Sequence, residues 1–201
     1  MNYIELPSEM QLHLSTMNRL GIWTGGAKAG TMTAINATSI LGSLRYWTEA
    51  LMRADGKNVC NNQERCTYDK TKEQSACDLC QIFGCTGISR SFNMNIDSGK
   101  PFEKQKNKTN PIFIPNGKNK ARYYLTEAFT GNFVLKLSIH RPLLAGNYSL
   151  PEDVLTALYL LIEYGTLGAY DQYGCGLVQL QVDERELLQN LCQDHDAKGG
   201  K

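Results

Sequence analysis

An α+β domain with the element order strand, helix, strand, strand, helix, strand is predicted by three observations. Three segments alternate apolar and polar residues with a period of two. Two others carry an apolar stripe at helical spacing. A last stretch, after a glycine-rich turn, reads as one further strand.

The first strand is Met10 to Thr16, with Met10, Leu12 and Leu14 on one face and Gln11, His13 and Ser15 on the other. Gly21 to Gly30, GIWTGGAKAG, is a glycine-rich loop. A helix follows from about Ser39 to Ala54, its stripe made by Ile40, Leu44, Trp47 and Leu51, with Thr38 or Ser39 as N-cap. Asp55 to Ala76 is polar and aperiodic. Ser91 to Ile96 alternates again, with Phe92, Met94 and Ile96 inward. Ser98 to Gly131 is a lysine-rich excursion that reads as a segment ordered by a partner. Phe133 to Ile139 is the third alternating strand.

Ser149, Pro151 and Glu152 then open a second helix as cap, first-turn proline and capping-box acid. It runs to about Tyr164 and stops at Gly165. Residues 165 to 176, GTLGAYDQYGCG, form a second glycine-rich loop before a strand at Leu177 to Val182. Asp183 to Cys192 reads as a short final helix. The order is ferredoxin-like βαββαβ, one domain over 1–201 with insertions at 55–88 and 98–131.

The chain has 201 residues, 42% hydrophobic and 20% charged, a globular composition. Twenty-one Lys and Arg against 20 Asp and Glu give a net charge of +1, which excludes a globally basic nucleic-acid binder but not a local basic patch. Apolar runs are too short for a membrane span, and MNYIELPSEM lacks a basic leader and an apolar signal core. A cytoplasmic protein with no membrane partner is therefore expected.

Seven cysteines in a reducing compartment point to metal before disulfides. Five of them are spaced Cys60-x5-Cys66-x10-Cys77-x2-Cys80-x4-Cys85. A CxxC knuckle, here Cys77-Asp-Leu-Cys80, sets two thiolates on one side of a zinc ion. Cys60 and Cys66 supply the other pair, with Cys85 a spare or a substitute. The surrounding segment has few apolar residues, so a structural zinc would supply its missing stabilisation. The alternatives are free thiols or a redox CxxC.

The first glycine loop leads to a helix start rich in hydroxyls and free N–H groups, with Lys28 and Arg45 nearby, a pattern that suits a phosphate. The second interleaves Tyr170 and Tyr173 with glycines, a pattern that suits stacking on bases. The two turns are expected to flank a cleft that grips a ribose–phosphate strand. Neither fits the P-loop or dinucleotide pattern. Residues 100 to 122 hold six lysines and Arg122 against Glu103 alone, which suits a phosphate backbone. The plain alternatives are ordinary turns and a solvated lysine-rich loop.

Three segments together resemble the RAMP superfamily, the RNA-binding subunits of type III CRISPR effector complexes. TGGAKAG…INATSILGSLRYWTEAL is similar to the family's glycine turn followed by x-SSxxGxxRxW. CDLCQIFGCTG is similar to its CxxCxLFGSTG segment, and GTLGAYDQYGCGLVQL to its C-terminal glycine loop and last strand. LRYW most resembles the Cmr-one (Cas-seven-type) subunit, here in a single-domain form.

The resemblance implies a modified ferredoxin-like (RRM-like) fold, binding of guide and target RNA, and partner effector subunits. By position it implies guide contacts at Lys28, Thr38, Ser39, Arg45 and Arg90, and at Gly168, Tyr170, Gln172, Tyr173 and Gly174. The thumb at about 97 to 131, with Lys104, Lys106 and Lys108, would push between guide and target. Subunits of this family that cut RNA carry an aspartate in the loop after the first strand. This chain has no acidic residue from Gly21 to Thr48, so a non-catalytic subunit is expected. His13, His140 and Asp97 are what a cleaving alternative would have to use.

Overall fold

The structure is a computed structural model that describes residues 9–25, 32, 34–60, 66–69, 71, 76–98, 112–116, 119–123, 128–141, 151–169, 171 and 174–193. Its elements are β1 (Glu9–Thr16), α1 (Ala37–Ala54), α2 (Asp78–Phe83), β2 (Phe92–Asp97), β3 (Ile112–Asn116), β4 (Asn119–Tyr123), β5 (Asn132–Ile139), α3 (Glu152–Glu163), β6 (Val178–Leu180) and α4 (Val182–Gln193).

Four strands form one antiparallel sheet in the order β2-β5-β1-β6. Taken in chain order as first to fourth, that is 4-1-3-2 read from β6, the arrangement of a ferredoxin-like domain. The alternation in each strand decides its inner face. Met10, Leu12 and Leu14 of β1, Phe133, Leu135 and Leu137 of β5, and Phe92 and Met94 of β2 are buried. Against this face pack α1, through Ile40, Leu44 and Met52, and α3, through Val154, Leu158 and Leu161. The opposite face carries Asn93, Asn95, Gln11, His13, Ser15 and Lys136 and no aromatic ring on any of the four strands.

Several local expectations need correction. The N-cap of α1 is Asn36, whose side chain accepts from the Thr38 N–H at 3.0 Å, in place of Thr38 or Ser39. Three capping-competent residues crowd that start, and the earliest takes the role. At α3 the N-cap is Pro151, with no side-chain cap bond; Ser149 lies outside the described residues. The lysine-rich excursion contains a two-stranded hairpin, β3 with β4, separate from the main sheet. The short helix α2 lies within the 55–88 insertion, just after its polar, aperiodic stretch, where the sequence predicts no helix.

Ionic contacts fasten the periphery. Lys57, just past α1, donates to both carboxylate oxygens of the buried Asp153 at 2.7 and 2.8 Å. Burial opposes the lysine's charge, but the Asp153 carboxylate, with Asp55 at 3.2 Å, outweighs it and holds its pKa above the ordinary value. Along α4, Glu184 binds the His13 backbone N–H at 2.6 Å and the ring Nδ1 at 2.5 Å, Arg185 pairs with Glu163, and Leu188 is buried. No helix among the described residues is long and apolar enough to cross a membrane.

Candidate nucleic-acid interface and metal centre

The cysteine cluster is assembled by α1, α2 and the segments between them. Cys77 is the N-cap of α2 and Cys80 lies one turn on, so a short helix fixes the two knuckle thiols. Leu79, Ile82 and Phe83 on the same helix are buried, and Phe83 meets Phe92 edge to face at 5.4 Å. Arg53, in the last turn of α1, holds the Cys60 carbonyl at 2.6 Å. The Cys66 segment is tied to the turn after α2 by the Tyr68 N–H to the Thr86 carbonyl, 2.8 Å. That turn needs Gly84, at φ +83, because a Cβ there would press on the Arg90 amide nitrogen and the Ile88 carbonyl oxygen.

The Sγ atoms of Cys60, Cys66, Cys77 and Cys80 lie within 4.8 Å of one another, and those of Cys60 and Cys80 are 3.6 Å apart. These four could hold a metal ion. Cys85 faces elsewhere, its thiol 3.7 Å from the Thr86 carbonyl oxygen. Burial pushes the Cys80 thiol far above its ordinary range, with the neighbouring thiols of Cys60 and Cys77 adding to the effect. Burial also raises Cys77. At Cys60 burial acts the same way but is outweighed by hydrogen bonds from the Cys66 backbone and from Cys80 and Cys77, which hold that thiol below its ordinary value.

Arg45 is placed differently from the sequence expectation. Its guanidinium donates to the Gly84 carbonyl at 3.1 Å and to the Cys80 sulfur at 3.6 Å, and lies 5.9 Å from the centre of the Phe83 ring. It therefore faces the cysteine module. Charge and position in the sequence do not reveal to which side of a helix a long cation turns.

The two glycine turns do come together. The Gly176 N–H donates to the Gly21 carbonyl at 2.7 Å, and the Ala169 N–H to the Trp23 carbonyl at 2.7 Å. The Asn18 side chain adds a bond to the Gly174 carbonyl at 2.8 Å. Gly168, at φ +100, makes the approach possible, since a Cβ there would collide with the Trp23 carbonyl. Among the described residues the turns are thus zipped backbone to backbone, with no cleft between them. The open space lies alongside, a groove of about 790 Å³ between the joined turns and the outer face of α1. Ser39, Gly42 and Tyr46 line it from α1, and Tyr164, Gly168 and Asp171 from the other side.

Ser39 and Gly168 line this groove, as sequence reasoning would place them; Thr38 is exposed at the adjoining helix start. Arg90 follows the Gly84 turn, half-buried, and is not brought to the groove. Lys28, Tyr170, Gln172, Tyr173, Lys104, Lys106 and Lys108 lie outside the described residues. Tyr46, Trp47 and Tyr164 line the groove without having been singled out as binding residues. The aromatic pair inside LRYW was a usable signal, but Trp47 fitted the apolar stripe of α1 and was read as core.

A larger groove, about 1370 Å³, lies over the open sheet face and α4. Its described charged residues are His13, Asp97, Glu163, Arg185 and Glu186, and it exposes few aromatic ring faces, since Phe129 and Phe133 are buried. With Tyr46 and Tyr164 exposed on its lining, the α1 groove offers more ring surface for stacking on bases. Of the histidine and acid candidates for cleavage, His13 is engaged by Glu184 and Asp97 by Lys136 at 3.2 Å. The His140 backbone N–H donates to the Ser91 carbonyl.

No curated protein matches the sequence. The structure is similar to the crystal structure of Cmr1 from Pyrococcus furiosus in its apo form, at 15% identity and a TM-score of 0.41. The match covers 86% of this chain and 48% of that one, so the chain spans about half the length of that protein. A family model described as the RAMP superfamily matches residues 21–179, from the first glycine turn to the last strand. By that match over most of its length, the chain belongs to the RAMP superfamily.

Proposed function

We propose that this chain is a non-cleaving, guide-RNA-binding subunit of a type III CRISPR effector complex, contacting target RNA and neighbouring effector subunits. The observation that carries the reading is the meeting of two glycine turns, distant in sequence, beside the start of α1 and along one open groove. Glycine turns that bring bare backbone to the groove's edge suit a sugar–phosphate chain. Sequence readout is then left to base pairing, as in other guide-bearing effectors. Asp171 is the one carboxylate among the groove's described lining residues, which include no histidine or lysine, and cleavage by general acid–base catalysis calls for a partnered group.

Zinc is the metal we assign to Cys60, Cys66, Cys77 and Cys80. Tetrahedral Zn–S bonds of about 2.3 Å place the sulfurs roughly 3.8 Å apart, close to the Cys60–Cys80 separation of 3.6 Å. With four thiolates the shell is closed, which makes the centre structural. It would fix α2 and the turn after it against α1.

The test is purification of the full chain from its host, sequencing the RNA that accompanies it and identifying the proteins, followed by gel shifts with guide-length RNA at two salt concentrations. Bound guide RNA and a salt-sensitive shift are expected. No shift at low salt overturns the RNA reading. Cleavage of that RNA, lost on mutating Asp171, overturns the non-cleaving part.

A further inference from the structure

The α1 groove has an unusual lining for a surface that meets a polyanion. Tyr46 is 69% exposed, Tyr164 is 78% exposed and Trp47 is 38% exposed. All three line the same groove, with Leu177 beside them. Each outer ring is braced by a neighbour: Tyr46 stands edge to face on Trp47 at 6.3 Å and 84°, and Tyr164 on Tyr159 at 6.2 Å and 82°. Bracing fixes ring direction while leaving ring faces to solvent.

The α1 wall is graded. Gly42 and Ser43 each lie three or four residues from both Ser39 and Tyr46, so the four share one helix face. Gly42 has nothing within 4 Å of where a Cβ would stand. The wall is therefore low toward the helix start and tall at the rings. Hydroxyls of Ser39, Ser43 and Thr166 and the Asp171 carboxylate lie on the lining, and no lysine or arginine is among its described residues. A phosphate gains little against the ring-lined stretch of this groove, away from the glycine turns. A flat, uncharged ring with a hydrogen-bonding edge gains stacking on its faces and partners along its rim.

We infer that this groove takes an unpaired nucleobase, turned out of the bound RNA and stacked on the exposed Tyr164 ring, with the perpendicular Tyr46–Trp47 pair closing the opposite side. The inference rests on the RNA-binding reading above and adds a base-specific subsite to it. The volume of about 790 Å³ falls among small-ligand pockets, roughly 300–1,000 Å³, and leaves room for a nucleoside. Phosphates on either side of the turned-out base then lie outside the rings, toward the helix start and the zipped turns.

The test is an abasic scan. Guide-length RNAs, each lacking one base in turn but keeping every phosphate, are titrated against the full chain in the complex it purifies with. One position is expected to lose affinity by roughly 5- to 100-fold, the range for a single stacked base. That dip should vanish in Tyr164→Ala, which removes a largely exposed ring and leaves the fold intact, and in Trp47→Leu. A scan that is flat in the wild type, or a dip that persists in Tyr164→Ala, overturns the subsite while leaving RNA binding in place. Absence of binding to any of these RNAs overturns both.

Discussion

Arg45 donates to the sulfur of Cys80 at 3.6 Å while its other terminal nitrogen holds the Gly84 carbonyl at 3.1 Å. One guanidinium thereby ties helix α1 to the knuckle and to the turn that follows it. A tetrathiolate centre loaded with a divalent ion keeps a net negative charge, and Arg45 is the cation placed against it. Arg45→Gln is expected to lower stability by about 1.5–3 kcal/mol, the range for hydrogen bonds to charged groups. It should also speed metal loss to a chelator. Thermal melts and chelator kinetics check this. Wild-type metal retention in the variant would show that the arginine serves the turn alone.

The four clustered thiols should carry one zinc per chain, measured by elemental analysis. Cys77→Ser with Cys80→Ser should abolish it and lower the melting temperature. Cys85→Ser should change neither, because that thiol faces Thr86. Because burial raises the thiols of Cys77 and Cys80, both must give up protons to bind metal. Zinc affinity should therefore fall as pH falls, by roughly tenfold per pH unit for each proton displaced. Competition titrations at two pH values test the sign; a pH-independent affinity would refute thiolate ligation.

Lys57 and Asp153 make a clip whose acid is buried and whose base is 24% exposed. Removing one partner of a fully buried pair costs about 3–5 kcal/mol. Lys57→Met should cost somewhat less, about 2–3 kcal/mol in denaturant unfolding. The lysine's pKa is raised on folding, so its contribution is complete below the ordinary value of 10.5 and is lost as pH climbs beyond it. Stability of the wild type should drop on that alkaline side, and Lys57→Met should lack that drop.

Gly168→Ala should destabilise by about 2–3 kcal/mol, since the left-handed backbone and the Trp23 carbonyl both exclude a Cβ. It should also weaken RNA binding by parting the turns that wall the groove. A melt and a gel shift together check this, and unchanged values in both would mean that the turns do not need each other.

Much of this fold could be read from alternation alone. β1, β2 and β5 each bury most of one face, and a period of two then has a single consistent reading. Helix α2 escaped because six residues show less than two turns of periodicity, in a segment dominated by polar residues and cysteine. The β3–β4 hairpin escaped although Asn116-Gly117 is a hairpin dipeptide, because Pro115 and the lysines around it read as loop. At the site, cysteine spacing singled out the correct neighbours because ligand geometry is local. The groove was less legible. Trp47 belongs to an apolar stripe, and only packing decides whether a ring at the margin of a stripe is covered.

The bond from Asn18 to Gly174 spans 156 residues, and the Gly21–Gly176 bond is of similar reach. Contacts so distant along the chain form late, after the intervening polymer has been ordered. During synthesis the groove therefore has no existence until β6 has been made, although α1 and its rings were finished long before. A nascent or C-terminally shortened chain would expose Tyr46 and Trp47 without the wall opposite them, so competence for the ligand arrives in one step with completion of the sheet.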